Sequence, residues 1–211
     1  MTERPRLVVA TRSAHKLAEL RTLLDVPATE LLSLDDLGVE GDVDETGATF
    51  EANAALKARH AARVTGLAAL ADDSGLEVDA LAGGPGVRTR RYAGERATDA
   101  ENNAKLLVAL HGLPPARRGA RYVCVLALAR PDDAGPRGGI PVTLVRGTCR
   151  GRIATAPRGS GGFGYDPIFE PRSEAPGGRT LGEWSAEEKN AISHRGAAAR
   201  RMSPILRRQG F

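Results

Sequence analysis

The chain is poor in cysteine, in lysine and in long apolar runs, and each shortage narrows what it can be. Only two cysteines occur, Cys124 and Cys149, both inside apolar or β-like stretches. They read as small core residues of a reducing compartment, not as a disulfide framework or a metal pair. No apolar run approaches the length of a signal segment or a membrane span, and a strand-like stretch begins within seven residues of the start. A cytoplasmic location with no membrane partner is therefore expected. There is no Gly-rich Walker loop, no internal repeat, and no low-complexity tract beyond one alanine-rich helix. Of 30 basic residues only four are lysines, Lys16, Lys57, Lys105 and Lys189. Where arginine is the default cation, a lysine marks a place that needs a compact point charge instead of a planar fork.

What is present fits one substantial core, or two lobes sharing a sheet, without disulfides; residues 1–211 are expected to form a single domain. The net charge is +4 over 211 residues and the isoelectric point about 9.4. The basic residues are scattered, with no dense Lys/Arg block, so charge alone favours an anionic ligand only weakly. A basic nucleic-acid-binding module without turnover is the alternative reading, and it requires salt-sensitive binding.

Along the chain, Leu7 to Ala10 reads as a buried strand, and Leu17, Leu20 and Leu24 at helical spacing follow it. A short strand near Glu30 to Ser33 leads into an acidic segment, Asp35 to Glu45. Thr46 to Thr49 then precedes an alanine-rich helix that reaches about Val64 and ends at Gly66. Ala68 to Ala71 is a further buried strand, expected to give way to a glycine turn at Asp73-Ser74-Gly75, and Ala82 to Gly94 reads as loop. Thr98 with Glu101 forms a capping box for a helix through Leu110. Arg121 to Arg130 and Pro141 to Arg150 are strand-like on either side of the turn-rich Pro131 to Gly139, and Gly151 to Ala156 extends the second. Pro157 to Pro167 is loop. A capping box at Ser185 and Glu188 opens a short helix, and Ser193 caps a last helix reaching Arg208. Helices and strands alternate first and strands gather later, which predicts an α/β fold with a mixed sheet.

Several segments could carry chemistry. At Thr11 to Lys16 a strand ends and a helix starts, so free N–H groups meet a lysine one turn in. That suits an anion, although an ordinary turn capped by Ser13 has the same pattern. Glu45 lies just ahead of a helix start, and Lys57 within that helix is either solvated surface or a phosphate contact. Asp72 and Asp73 point to opposite faces if the strand persists, so only one would enter a cleft; two carboxylates sharing a site need Mg²⁺ or another cation between them. Six of the eight aromatics, Phe50, Tyr92, Phe163, Tyr165, Phe169 and Trp184, sit in or near these segments. Phe163 suits a core place and base stacking equally. Lys189, His194 and Arg195 put donors near the start of the last helix. Donors facing a purine edge prefer a 6-oxo group to a 6-amino group, because donor against donor leaves buried groups unpaired.

Six ordered blocks carry a family resemblance: Val9-Ala10-Thr11 to Lys16, Glu45 to Ala54, Ala71 to Leu76, Gly84-Pro85-Gly86-Val87, Gly161 to Phe169, and Glu188 to Gly196. With them the chain resembles the inosine triphosphate pyrophosphatases, or non-canonical purine NTP pyrophosphatases, along nearly its whole length. The resemblance implies a two-lobed α/β fold, an elongated mixed β-sheet flanked by helices with an active-site cleft between the lobes. It also implies a homodimer, Mg²⁺ dependence, no nucleic-acid partner, and hydrolysis of ITP, dITP and XTP to the monophosphate plus pyrophosphate. By the same resemblance Thr11, Arg12, Ser13, Ala14, His15, Lys16 and Lys57 hold the triphosphate. Glu45 and Asp73 serve the metal, with Asp73 also taking the proton of the attacking water. Ser74 touches substrate, and Phe163, Gly164, Tyr165, Asp166, Lys189, His194 and Arg195 hold the base. The chain has Arg12-Ser13 where the family commonly has Gly-Asn, so a left-handed turn there would be strained.

Overall fold

A computed structural model describes residues 4–41, 43–134 and 139–211. The turn-rich expectation at Pro131 to Gly139 therefore falls partly outside the described residues, at 135–138. Among the described residues, six strands and five α-helices follow in the order β1 (Arg6–Ala10), α1 (Ala14–Leu23), β2 (Glu30–Ser33), α2 (Phe50–Thr65), β3 (Ala69–Val78), α3 (Asp99–Ala109), β4 (Gly119–Ala129), β5 (Val142–Ile153), β6 (Phe169–Pro171), α4 (Ala186–Ile192) and α5 (His194–Arg208). The strands form one sheet in the order β2-β1-β3-β4-β5-β6. Strand β1 is parallel to β2 and β3, with Val8 opposite Ala69 and Ala10 opposite Ala71, whereas β5 and β6 are antiparallel. The sheet is mixed and flanked by helices, as the alternation of elements predicts.

The chain divides into two compact units. The first comprises Met1–Asp73, Cys124–Gly147 and Arg195–Phe211; the second comprises Ser74–Val123 and Thr148–His194. Strands β3, β4 and β5 each contribute residues to both units. In the first unit Leu7 and Val9 of β1, Leu70 of β3, and Cys124, Leu126 and Leu128 of β4 pack with Leu20 of α1 and Ala198, Ala199, Met202 and Leu206 of α5. Period-two alternation sends Val8 and Ala71 to the other face, and all of these strand residues are buried. Strands covered on both faces read as continuous apolar runs, which is why β1 and the start of β3 are visible in the sequence. The second unit has its own core of Leu76, Val78, Leu106, Leu110, Tyr122, Ile153, Ile168, Phe169 and Leu181.

Local chemistry sets the helix ends. The Thr49 hydroxyl accepts the Ala52 N–H at the start of α2, and Gly66 closes it in the left-handed region. Thr98 and Glu101 form a reciprocal capping box at α3, as Ser185 and Glu188 do at α4. Replacing Thr98 by Ala removes an acceptor for an orphan N–H and is expected to cost about 1 kcal/mol of stability, read as a lower denaturant midpoint with unchanged slope.

Three expectations need correction. The glycine turn at Asp73-Ser74-Gly75 does not form: β3 runs through to Val78. Each aspartate is neutralised by a cation on its own face, so tertiary ion pairs override the local turn preference. The stretch Ala82 to Gly94 is not all loop, because Gly86–Arg91 forms 3₁₀ turns with a kink at Arg88. The second long strand stops at Ile153, and the short strand β6 pairs with it there.

Candidate active site

In the first unit, Thr11, Arg12 and Ser13 bridge β1 to α1. The Ser13 hydroxyl accepts the Lys16 N–H at 3.4 Å, and the Thr11 hydroxyl accepts the Ser13 N–H at 3.2 Å. Part of the helix-start hydrogen bonding is thus met by the turn's own side chains. Arg12 donates to the Asp35 carboxylate, to the Val39 carbonyl at 2.7 Å and to the Gly41 carbonyl, which ties down the acidic segment. Among the described residues Ala82 is the sole non-glycine with a left-handed backbone, so Arg12 occupies the place of the family's usual glycine without that strain. Ala14 and His15 are exposed at the first turn of α1.

One turn further, Lys16 reaches back to β3. Its ammonium lies 2.6 Å from Asp72 Oδ1, while Arg195 Nε donates to Asp72 Oδ2 at 2.9 Å. Arg195 also pairs with Glu19, and the Cys124 thiol lies 3.1 Å from Asp72 Oδ2. Arg195 is 1% exposed. Burial alone would raise the Asp72 pKa, but Arg195 and Lys16 outweigh it and hold the carboxyl well below its ordinary range. Burial, reinforced by Asp72, pushes the Cys124 thiol well up, so it stays a neutral donor. Both cysteines are free and buried, as expected.

On the opposite face of β3, Lys57 of α2 donates to Asp73 Oδ1 at 2.8 Å and to Glu45 Oε1 at 3.0 Å. Lys57 falls on the buried stripe Ala54, Ala58 and Ala61 of α2, so it is not solvated surface. Burial pulls its pKa down, yet Asp73 and Glu45 more than offset this and keep it protonated. For Asp73 the balance is reversed. Burial raises its pKa, Glu45 adds to the rise, and Lys57 compensates only in part. Two carboxylates aimed at one cation form the oxygen donor set that suits a hard ion. Among the described residues no group of three or more His, Cys, Asp or Glu side chains forms a metal cage. Two carboxylates are enough for such an ion only where substrate phosphates and water complete its shell.

The second unit holds another cluster. Asp166, 2% exposed, accepts from Lys189 Nζ at 2.7 Å, from the Phe163 N–H at 3.0 Å and from the Tyr122 hydroxyl at 3.2 Å. The Lys189 ammonium lies 4.4 Å from the centre of the Phe163 ring, a cation–π contact. His194 stacks on Tyr122 with ring centres 4.7 Å apart. Tyr165 is packed in the core, and its hydroxyl donates to the Thr89 carbonyl at 2.8 Å. Ser74 lies half-buried on β3.

The structure thus brings Lys16, Asp72 and Arg195 together, Lys57, Glu45 and Asp73 together, and Phe163, Asp166 and Lys189 together. The Arg195 guanidinium meets Asp72 and Glu19 within the first unit. Glu19 and Tyr122 were not singled out in the sequence. Glu19 lies one turn after Lys16 on a helix whose apolar face is elsewhere, and a lone tyrosine in a strand carries no distinguishing signal.

The chain is 48% identical to a protein named dITP/XTP pyrophosphatase from Anaeromyxobacter sp. (strain Fw109-5), covering 96% of each chain. It is 49% identical to one so named from Mycolicibacterium paratuberculosis (strain ATCC BAA-968 / K-10), covering 95% of each. A solved structure of a HAM1 protein from Coxiella burnetii superposes with a TM-score of 0.84 at 44% identity, covering 97% of this chain and 99% of that one. A sequence model of the Ham1 family matches residues 7–205. The chain belongs to the Ham1 family.

Proposed function

We propose that this chain is a nucleoside triphosphate pyrophosphatase that hydrolyses dITP, ITP and XTP to the monophosphate and pyrophosphate with Mg²⁺. It acts as a cytoplasmic homodimer whose residues 1–211 serve as one catalytic domain. The observation that carries the reading is the buried Asp73 carboxylate beside Lys57 and Glu45. Similarity to relatives named dITP/XTP pyrophosphatase supplies the substrate class. No helix among the described residues is long and apolar enough to cross a membrane.

Glu45 and Asp73 would hold the metal, which supplies charge neutralisation on the phosphates when bound. Lys16 and Lys57 provide compact positive charge for the triphosphate, with the turn Thr11–Lys16 behind them. Asp73, its pKa raised by burial, orients a water molecule and accepts its proton. Phosphoryl chemistry of this kind depends on positioning and electrostatics. The Phe163 ring and the Lys189 ammonium, with His194 nearby in the second unit, present a stacking face and donors to a 6-oxo purine; Ser74, Gly164, Tyr165, Asp166 and Arg195 support the substrate groups.

Product release with Mg²⁺ from dITP, XTP, ATP and GTP tests the reading. Pyrophosphate from the 6-oxo, deaminated substrates is the expected result. Orthophosphate as first product indicates a terminal phosphatase, and salt-sensitive DNA or RNA binding without turnover indicates the nucleic-acid module; either overturns the proposal.

A further inference from the structure

Helix α3 contributes no residue to the clusters above, yet one of its faces grips the segment that carries Phe163. Asp99 and Asn103 are four residues apart and so lie on the same side of the helix. Asp99 Oδ2 accepts the Gly164 N–H at 2.6 Å, and Asn103 Nδ2 donates to the Gly164 carbonyl at 3.1 Å. Both backbone polar groups of one residue are thus held from a rigid element. That residue has φ +64°, a conformation that glycine adopts without strain. Neighbouring positions hold a second segment: Asn102 accepts the Ala93 N–H at 2.8 Å and donates to the Arg90 carbonyl at 3.0 Å, and Lys105 donates to the Tyr92 carbonyl at 2.6 Å.

Asn103 is 6% exposed, and among the described residues its Oδ1 has no hydrogen-bond partner. Burying an unmatched amide oxygen is unfavourable, so the folded chain tolerates this side chain for what its Nδ2 does. That atom's partner is the residue immediately after Phe163.

We propose that Asp99 and Asn103 are positioning residues for purine recognition. They fix Gly164 so that the Phe163 ring stays beneath the Lys189 ammonium, setting affinity for the base and not the rate of the chemical step. This rests on the reading of Phe163 to Asp166 as a base-holding segment. Loss of an interaction made equally in ground and transition states raises KM and spares kcat.

The test compares steady-state pyrophosphate release from dITP by full-length variants. Asn103→Asp, nearly isosteric but unable to donate from that position when ionised, is expected to raise KM ~10-fold, the effect of one hydrogen bond, with little change in kcat. The exposed Asp99→Ala, which does not disturb the core, is expected to raise KM several-fold, and Asp99→Asn, which retains an acceptor, to recover most of that loss. Thr98→Ala weakens the same helix without touching Gly164 and serves as the stability control. Unchanged KM in Asp99→Ala, or losses in Asn103→Asp that merely match those of Thr98→Ala, overturns the proposal. Should the wild type release no pyrophosphate from dITP, the pyrophosphatase reading itself fails, whatever the variants do.

Discussion

Asp73→Asn is expected to lower turnover of dITP at least ~100-fold, the lower end of general-base effects, while leaving the fold intact. The amide keeps the shape of the carboxyl but cannot take a proton from water. Stability should be little affected because Lys57 retains Glu45, 3.0 Å away. The sign of the linkage points the same way. Burial raises the Asp73 pKa above 3.8, so its stability contribution declines as the pH rises through the interval from 3.8 to the folded value. At neutral pH the ionised carboxylate is therefore an unfavourable group that the amide removes. Wild-type activity is expected to fall as the pH drops through the raised Asp73 value. The measurement is kcat from pyrophosphate release, with melting temperature as control. Near-normal turnover in the variant would remove Asp73 from the base role.

The neighbouring substitution should have the opposite character. Asp72→Asn leaves Arg195, which is 1% exposed, and Lys16 without their shared counter-ion. Breaking one side of a buried pair typically costs about 3–5 kcal/mol; Glu19 still faces Arg195, which places the expected loss at the lower end of that range. Chemical denaturation should show a loss of that order. Arg195→Met added to the variant should recover part of it. Arg195 and Lys16 hold the Asp72 pKa well below 3.8, so the stabilisation is fully present above the ordinary carboxyl range and lost as the pH falls through the lower folded value. The gap between wild type and Asp72→Asn should therefore narrow only in strong acid. A gap that closes already at mildly acid pH, or a loss within experimental error of zero, would contradict the ion-pair account.

The partners of Asp72 on which the second expectation rests are not legible in the sequence, and the reason is physical. Strand β1, helix α2 and the capping boxes at Thr98 and Ser185 are legible because short-range chemistry decides them: continuous apolar burial, an N-cap hydroxyl, a Glu three residues on. Within β3 the local signal favours a turn at Asp73-Ser74-Gly75, and long-range pairing with Lys16, Lys57 and Arg195 decides otherwise. The lysine shortage was a better guide. Lys16, Lys57 and Lys189 each meet a carboxylate, at 2.6, 2.8 and 2.7 Å. The arginine-rich background made them visible. The role of Asn103 was hidden because an asparagine on a helix shows nothing in sequence of the carbonyl it will reach.

The back-to-back aspartates of β3 have a consequence for how such a chain can vary. Because strand parity assigns one carboxylate to α2 and the other to α1 and α5, a substitution at either codon strips the partner from one face only. Deleting one residue ahead of Asp72 would draw a serine into the place facing Lys57, and inserting one would push an alanine into the place facing Lys16 and Arg195. Length, more than composition, is what this strand can least afford to change.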